Sequence, residues 1–237
     1  MMDHAGRVEA LRREAEALAT AAETAGSDAP VPSCPGWDVA ELLAHTGRVH
    51  RWAISVLDGD RRFPSIEPPA AAERPGWLRA GAAALADRLA AVGPAAVVWS
   101  WTDDHTAGFW ARRQANETAV HRVDAEAAAG SPMPVERSLA VDGIDELLGM
   151  TAFRRDLTGV PEAGTVHLHC TDGEGEWLVR FGGERPEVTR EHAKGDVALR
   201  GPASDLLLVC YRRLPITSVE VFGDADLAER SVAALSW

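Results

Sequence analysis

Two residues of this chain, Glu117 and His121, are spaced for chemistry. They lie four apart in a segment, 110–128, whose pattern predicts a helix, so their side chains project from one face a single turn apart. A second predicted helix, 37–57, carries His45 on the same face as apolar residues. Helical bundles build internal metal sites from such groups on facing helices. Because two imidazoles and a carboxylate leave one coordination position open, as in catalytic zinc sites, the spacing indicates a metal site with room for a further ligand.

The same three residues also have an ordinary interpretation. His45 taken alone is typical of a hydrogen-bonded core histidine, and Glu117 with His121 is typical of a solvated helix pair worth about 0.2–0.5 kcal/mol. His50 and His105 are competing ligands by residue type, but neither has an inward carboxylate partner at helical spacing. A carboxylate on an inward face is costly unless it is paired or bound to metal. The spacing therefore leaves a metal site and a polar core as the two alternatives.

A pair of arginines, Arg212 and Arg213, ends a very apolar segment, 202–213, that is predicted to be helical. In one interpretation they compensate the dipole at the C-terminal end of that helix. In the other they form an anion clamp for the metal site, because a guanidinium binds a carboxylate through two parallel hydrogen bonds. The sequence pattern is compatible with both.

Hydrophobic periodicity divides the chain into a helical first part and a mixed second part. Helices are predicted in the first part at 3–25, 37–57, 77–91, 110–128 and 142–157. A proline-rich connection at 58–76, whose last proline is Pro75, separates the second and third of them. In the second part, strands are predicted at 165–170, 176–181, 187–190, 196–200 and 218–222, and helices at 202–213 and 224–235. We therefore expect two domains, 1–157 and 165–237, joined within 158–164.

Composition disfavours some classes of partner. The 237 residues carry a formal net charge of −12 with a pI near 5.1, which argues against binding to a phosphate backbone. No apolar run approaches the roughly 20 residues of a membrane-spanning helix. No secretory leader is apparent, and three scattered cysteines give no disulfide framework. We expect a cytoplasmic protein that binds a small-molecule substrate and neither nucleic acid nor membrane.

Three stretches of the chain resemble one known family. They are VPSCPGWDVAELLAHTGRVHRW at 31–52, ETAVHRVDAE at 117–126, and a tail that runs from GDVALRG at 195–201 to SVEVFGD at 218–224. These stretches resemble the mycothiol-dependent maleylpyruvate isomerase family, which belongs to the wider DinB-like metal-binding helical bundles. The resemblance covers about 31–235.

The resemblance implies a fold and a metal site. The fold would be an N-terminal DinB-like four-helix bundle followed by a small mixed α/β C-terminal domain, similar to sterol-carrier folds. A divalent metal, usually zinc in this family, would bind His45, Glu117 and His121, with water completing its coordination. The family's essential C-terminal arginine matches Arg213 best. The sequence YRRLP at 211–215 departs here from the family's WGRRP pattern, which leaves Arg212 as the alternative.

The reaction implied by the resemblance uses mycothiol as a low-molecular-weight thiol cosubstrate. A metal lowers the pKa of a thiol that it binds, and the resulting metal-bound thiolate would attack an electrophilic small molecule. Addition to the cis double bond of an unsaturated dicarboxylate, rotation and elimination would give the trans isomer, with Arg213 on a substrate carboxylate. In an S-transferase the adduct would leave as the product.

Two other functions are compatible with the same residues. One is a non-catalytic binding protein that keeps the metal-binding bundle and holds an apolar ligand in its second domain, and it would be indifferent to loss of the arginine pair. The other is a hydrolase that uses metal-activated water. A hydrolase needs a general base, for which Asp104, His105 and Glu126 are the candidates.

Overall fold

The computed structural model describes residues 2–151, 153 and 161–235. Its contacts divide the chain into two compact units, Met1–Val135 and Glu136–Trp237. Within the described part of the chain, no helix combines the length and the apolar character needed to cross a membrane.

The first unit is a helical bundle, as predicted. Within residues 2–135 its α-helices are α1 (His4–Ala25), α2 (Val39–Leu57), α3 (Arg74–Val92) and α4 (Ala107–Ala128), with a 3-10 turn at Ala71–Glu73. Helices α1 and α2 each pack against both α3 and α4. Fully buried leucines, among them Leu11, Leu42, Leu78 and Leu85, lie in the core. The predicted four-helix arrangement is thereby confirmed.

Side-chain caps fix the start of the two helices that carry the predicted ligands. At α2, Asp38 accepts a hydrogen bond from the amide of Glu41, and the Glu41 carboxylate accepts one from the amide of Asp38. This reciprocal pair is a capping box, which satisfies two amides that the helix leaves without partners. At α4, the hydroxyl of Thr106 accepts from the amide of Phe109. Because of this cap, α4 begins three residues before its predicted start.

Helix α3 also begins three residues before its predicted start. Pro75 was expected to exclude a helix, yet it lies in the first turn of α3. A proline there removes no hydrogen bond, since the first amides of a helix have no partner within it, and its fixed φ suits the helix.

The second unit is a mixed α/β domain, also as predicted. Its elements are α5 (Arg137–Thr151), β1 (Gly164–Cys170), β2 (Glu176–Phe181), β3 (Glu187–Thr189), β4 (Val197–Gly201), α6 (Ala203–Cys210), β5 (Glu220–Gly223) and α7 (Ala225–Leu235), with a 3-10 turn at Ile216–Ser218. The strands form one sheet in the order β3-β2-β1-β4-β5. Strands β1 and β4 are parallel, and the other neighbouring pairs are antiparallel. Helices α6 and α7 pack against β1 and β4.

The boundary between the units lies earlier than predicted. The predicted first domain ends at 157 and includes the helix at 142–157. In the structure that helix, α5, packs against α6 and α7 and therefore belongs to the second unit. Periodicity shows which face of a helix is apolar but not which elements cover it. Residues 152 and 154–157 of the predicted helix and residues 158–160 of the junction lie outside the described residues.

Candidate metal centre

The three predicted ligands meet between α2 and α4. One ligand atom from each of His45, Glu117 and His121 lies within 4.8 Å of the others. Oε1 of Glu117 is 3.1 Å from Nε2 of His121 and 3.4 Å from Nε2 of His45. The two imidazole rings are edge to face, with centroids 5.2 Å apart. The structure thus brings together the three side chains that their spacing on two helices indicated as candidate ligands.

The site lies at the rim of the bundle rather than deep inside it. The side chain of His45 is 37% exposed, that of Glu117 23% and that of His121 9%. The fully buried histidine of α2 is instead His50, whose Nε2 lies 2.9 Å from Oγ1 of Thr118. Although the sequence places His45 on the apolar face of α2, its side chain therefore does not point fully into the interior. The side chain of His45 is thus partly open to solvent.

Further side chains hold the three groups in place. Nδ1 of His121 lies 2.9 Å from Oδ2 of Asp124, which is fully buried. A carboxylate in this position fixes the tautomer of the imidazole and directs Nε2 at the place that a metal would occupy. Ser33 donates to the other oxygen of Asp124 at 2.5 Å. Arg113 donates to Oε2 of Glu117 at 2.7 Å, which leaves Oε1 facing the imidazoles.

The loop before α2 forms one side of the site. Backbone hydrogen bonds run from the amide of Val31 to the carbonyl of Trp37 and from the amide of Trp37 to the carbonyl of Cys34. The closed loop places the indole of Trp37 against His45, with ring centroids 5.0 Å apart. It also places Sγ of Cys34 3.7 Å from Oδ2 of Asp124. The first of the three motif stretches therefore supplies packing and hydrogen bonds to the site as well as one candidate ligand, His45.

The electrostatics of the site favour a bound cation. Burial opposes protonation of His121, but its hydrogen bonds to Asp124 and Glu117 outweigh burial and raise its pKa to about 9. Burial also opposes ionisation of Glu117, yet Arg113 and the imidazoles of His121 and His45 hold its pKa well below the usual value. The carboxylates of Glu117 and Asp124 carry two negative charges, and Arg113 compensates one of them. Without metal, the imidazolium of His121 compensates the other. A divalent cation would supply that charge, so the donor set fits a metal.

Two family models match the chain. The mycothiol maleylpyruvate isomerase N-terminal domain matches residues 8–126, and the MDMPI C-terminal domain matches residues 138–230. This chain belongs to the mycothiol maleylpyruvate isomerase family. A comparison with curated proteins gives no significant match. The two matched ranges fall within the two units of the structure, so the family's domain boundary agrees with the observed one.

Three residues of the site in this family member were not predicted: Asp124, Arg113 and Ser33. A signal for Asp124 was present, because it follows His121 by three residues and so faces it from the next turn of α4. Arg113 likewise precedes Glu117 by four residues. Ser33 gave no signal, since it reaches Asp124 only through the fold of its loop.

The arginine pair lies in the turn after α6, which ends at Cys210, three residues before its predicted end. Arg212 is exposed and adopts a left-handed backbone conformation with φ of 57°. Arg213 is half-buried, and its Nη1 donates to the carbonyl of Tyr211 at 3.0 Å. A role for either arginine in binding substrate stays a prediction.

The candidate bases of a hydrolase have other partners. Glu126 accepts a hydrogen bond from Nη1 of Arg122 at 2.6 Å. Asp104 accepts one from the hydroxyl that caps α4, also at 2.6 Å. Nδ1 of His105 lies 3.3 Å from Oγ of Ser100. These contacts favour structural roles for the three residues.

Proposed function

We propose that this family member is a metal-dependent enzyme in which the thiolate of mycothiol attacks an electrophilic small molecule. The observation that carries the proposal is the convergence of Oε1 of Glu117 with Nε2 of both His45 and His121. Two imidazoles and a carboxylate would hold a divalent cation such as zinc and leave a position for one further ligand.

A divalent metal held by these residues would lower the pKa of a thiol that binds to it, so that thiolate is available at neutral pH. The protein's own groups would prepare the site for it. Nε2 of His121 would lose its proton, while Asp124 would keep the proton on Nδ1 and hold the ring in place. Arg113 would keep Glu117 ionised. Trp37 would offer an apolar wall beside His45.

The proposed electrophile is an unsaturated dicarboxylate. Addition of the thiolate to its cis double bond would leave a single bond that rotates, and elimination would return the thiol and the trans isomer. With an acceptor that cannot eliminate, the same attack would give an S-transfer product. Arg213 is the proposed contact for a substrate carboxylate, because a guanidinium binds that group through two hydrogen bonds.

The test uses the full chain loaded with Co²⁺, whose absorption reports its ligands. Mycothiol is added, and a thiolate-to-cobalt charge-transfer band is sought in the wild type and in the His121→Gln variant. His105→Gln is the matched control, since His105 is a histidine of the same unit with a different partner. Mycothiol-dependent isomerisation of maleylpyruvate is then followed by absorbance.

A band and turnover in the wild type and the control, both lost in His121→Gln, are the expected results. A metal-loaded protein that neither ionises mycothiol nor transforms any unsaturated dicarboxylate or other electrophile in its presence would contradict the proposal. It would favour the non-catalytic binding protein instead.

A further inference from the structure

A second cluster of ligand-type side chains lies in the second unit, on one face of the sheet. His167 and His169 are two residues apart on β1, so they project from the same face. Glu176 on β2 is paired directly opposite His169 in the antiparallel register. His192 comes from the segment between β3 and β4. Two strands and a connecting segment thus bring four groups together.

The donor atoms of this cluster are close enough to share one ion. Glu176 Oε2 lies 2.6 Å from Nδ1 of His192 and 3.1 Å from Nε2 of His167, and its Oε1 lies 3.2 Å from Nδ1 of His169. One ligand atom from each residue lies within 4.8 Å of the others. Ligands around a tetrahedral zinc ion are about 3.4 Å apart, so small side-chain movements would close the four groups on a metal.

The segment that carries His192 is held on both sides. Two residues before it, the guanidinium of Arg190 donates two hydrogen bonds of 2.8 Å to the carboxylate of Asp145 on α5. Four residues after it, Asp196 accepts hydrogen bonds from the amide and the hydroxyl of Thr165. These contacts place the exposed imidazole of His192 over the sheet beside Glu176.

The composition of the cluster points to a transition metal. Three of the eight histidines of the chain lie here, with their ring centroids 5.8 to 6.4 Å apart. A single carboxylate does not need three imidazoles as hydrogen-bond partners. Imidazole-rich sites suit zinc, copper and nickel, whereas calcium and magnesium prefer sets of oxygen ligands.

We propose that His167, His169, Glu176 and His192 form a second metal site, which binds a divalent transition metal such as zinc. The site differs in kind from the centre between α2 and α4. That centre offers three protein ligands and an open position, whereas this one offers four, the number found in closed structural zinc sites. A metal here would tie β1, β2 and the segment after β3 together.

The experiment uses the full chain with His45→Ala and His121→Ala, so that the first centre is disabled. The metal-free variant is titrated with Co²⁺, and bound metal is counted by elemental analysis and by visible absorption. We expect one equivalent with the spectrum of a four-coordinate site. Adding His169→Ala and His192→Ala should abolish it, while adding His105→Ala should not.

Two measurements separate metal binding from damage to the fold. The side chain of His192 is 83% exposed, so His192→Ala alone should keep the metal-free melting temperature while weakening metal binding. The near-isosteric Glu176→Gln should do the same. Zinc should raise the melting temperature of the variant that keeps the cluster but not of the variant that lacks it. Absence of bound metal in the first variant, or binding that survives loss of His169 and His192, would overturn the proposal.

Discussion

Asp124 accepts a hydrogen bond from Nδ1 of His121 and leaves Nε2 directed at Glu117. Because Asp124 is itself held by Ser33 and has no exposed surface, the orientation of the His121 ring is determined by a chain of two hydrogen bonds. At the scale of single residues, the site therefore depends on a carboxylate that is not one of the three candidate ligands.

Replacing Asp124 by asparagine should weaken metal binding about 10- to 100-fold, because an amide holds the imidazole less strongly and makes Nε2 less basic. Chelator competition would measure the affinity. The control is Asp87→Asn, the same exchange at an exposed carboxylate that pairs with Arg12. An affinity of Asp124→Asn equal to that of the control would contradict this role.

His50 should make the metal-free protein sensitive to acid. Burial, and to a lesser degree the charge of Arg51, lower the pKa of His50 to about 3. Below about pH 6.5 the unfolded chain takes up a proton at this residue that the folded chain excludes, so stability falls with pH by up to about 1.4 kcal/mol per unit. The loss should continue until the pH nears 3.

Denaturant unfolding of the wild type and His50→Gln, followed by tryptophan fluorescence, tests this expectation. Between pH 6.5 and 5 the variant should lose less stability than the wild type, and between pH 7 and 8 the two should respond alike. Parallel curves in the acid range would show that His50 is not the source of the sensitivity.

At the scale of elements, α4 carries two polar networks. One is the candidate metal centre, to which α4 contributes Glu117 and His121. The other is a buried ion network in which Arg122 donates to Glu14 of α1 at 2.8 Å and to Glu126 at 2.6 Å. Spacing along α4 was enough to predict Glu117 and His121 as one pair. The same spacing of four joins Arg122 to Glu126. It did not show that this pair is part of a buried network, because the contact with Glu14 of α1 joins residues more than a hundred positions apart.

Glu126→Gln separates a structural role from catalysis. The exchange should lower the free energy of unfolding by about 1–3 kcal/mol, since Arg122 loses one charged partner in a buried setting. Metal content and turnover should stay at wild-type levels when measured on the folded fraction. Lost turnover with unchanged stability would instead identify Glu126 as a general base and revive the hydrolase interpretation.

The two arginines after α6 should respond differently to substitution. Arg213→Gln should lower kcat/KM for a dicarboxylate about 10- to 100-fold, the loss expected for a charged hydrogen-bonding pair. Arg212→Gly should leave kcat/KM unchanged and preserve or slightly raise the melting temperature, because glycine adopts the left-handed conformation without strain. The reverse pattern would assign the substrate contact to Arg212.

At the scale of the whole molecule, the helical bundle, the mixed second unit and nearly all strand positions were predictable from periodicity. The unit boundary was not, because the packing of α5 on α6 and α7 leaves no mark in its own sequence. The second histidine cluster was missed for a related reason. His167 and His169 alternate on a predicted strand. The register that sets Glu176 opposite His169 is a property of the tertiary fold, and so is the path of the chain that places His192 beside Glu176.

Metal content is the most direct test of whether His45, Glu117 and His121 hold a metal. Elemental mass spectrometry would be run on untagged full chain carrying His169→Ala and His192→Ala, so that only the first centre can contribute. We expect close to one divalent ion per chain, lost when His45→Ala and His121→Ala are added. A chain with no metal, which binds none when zinc is supplied, would show that the three groups form only a polar cluster.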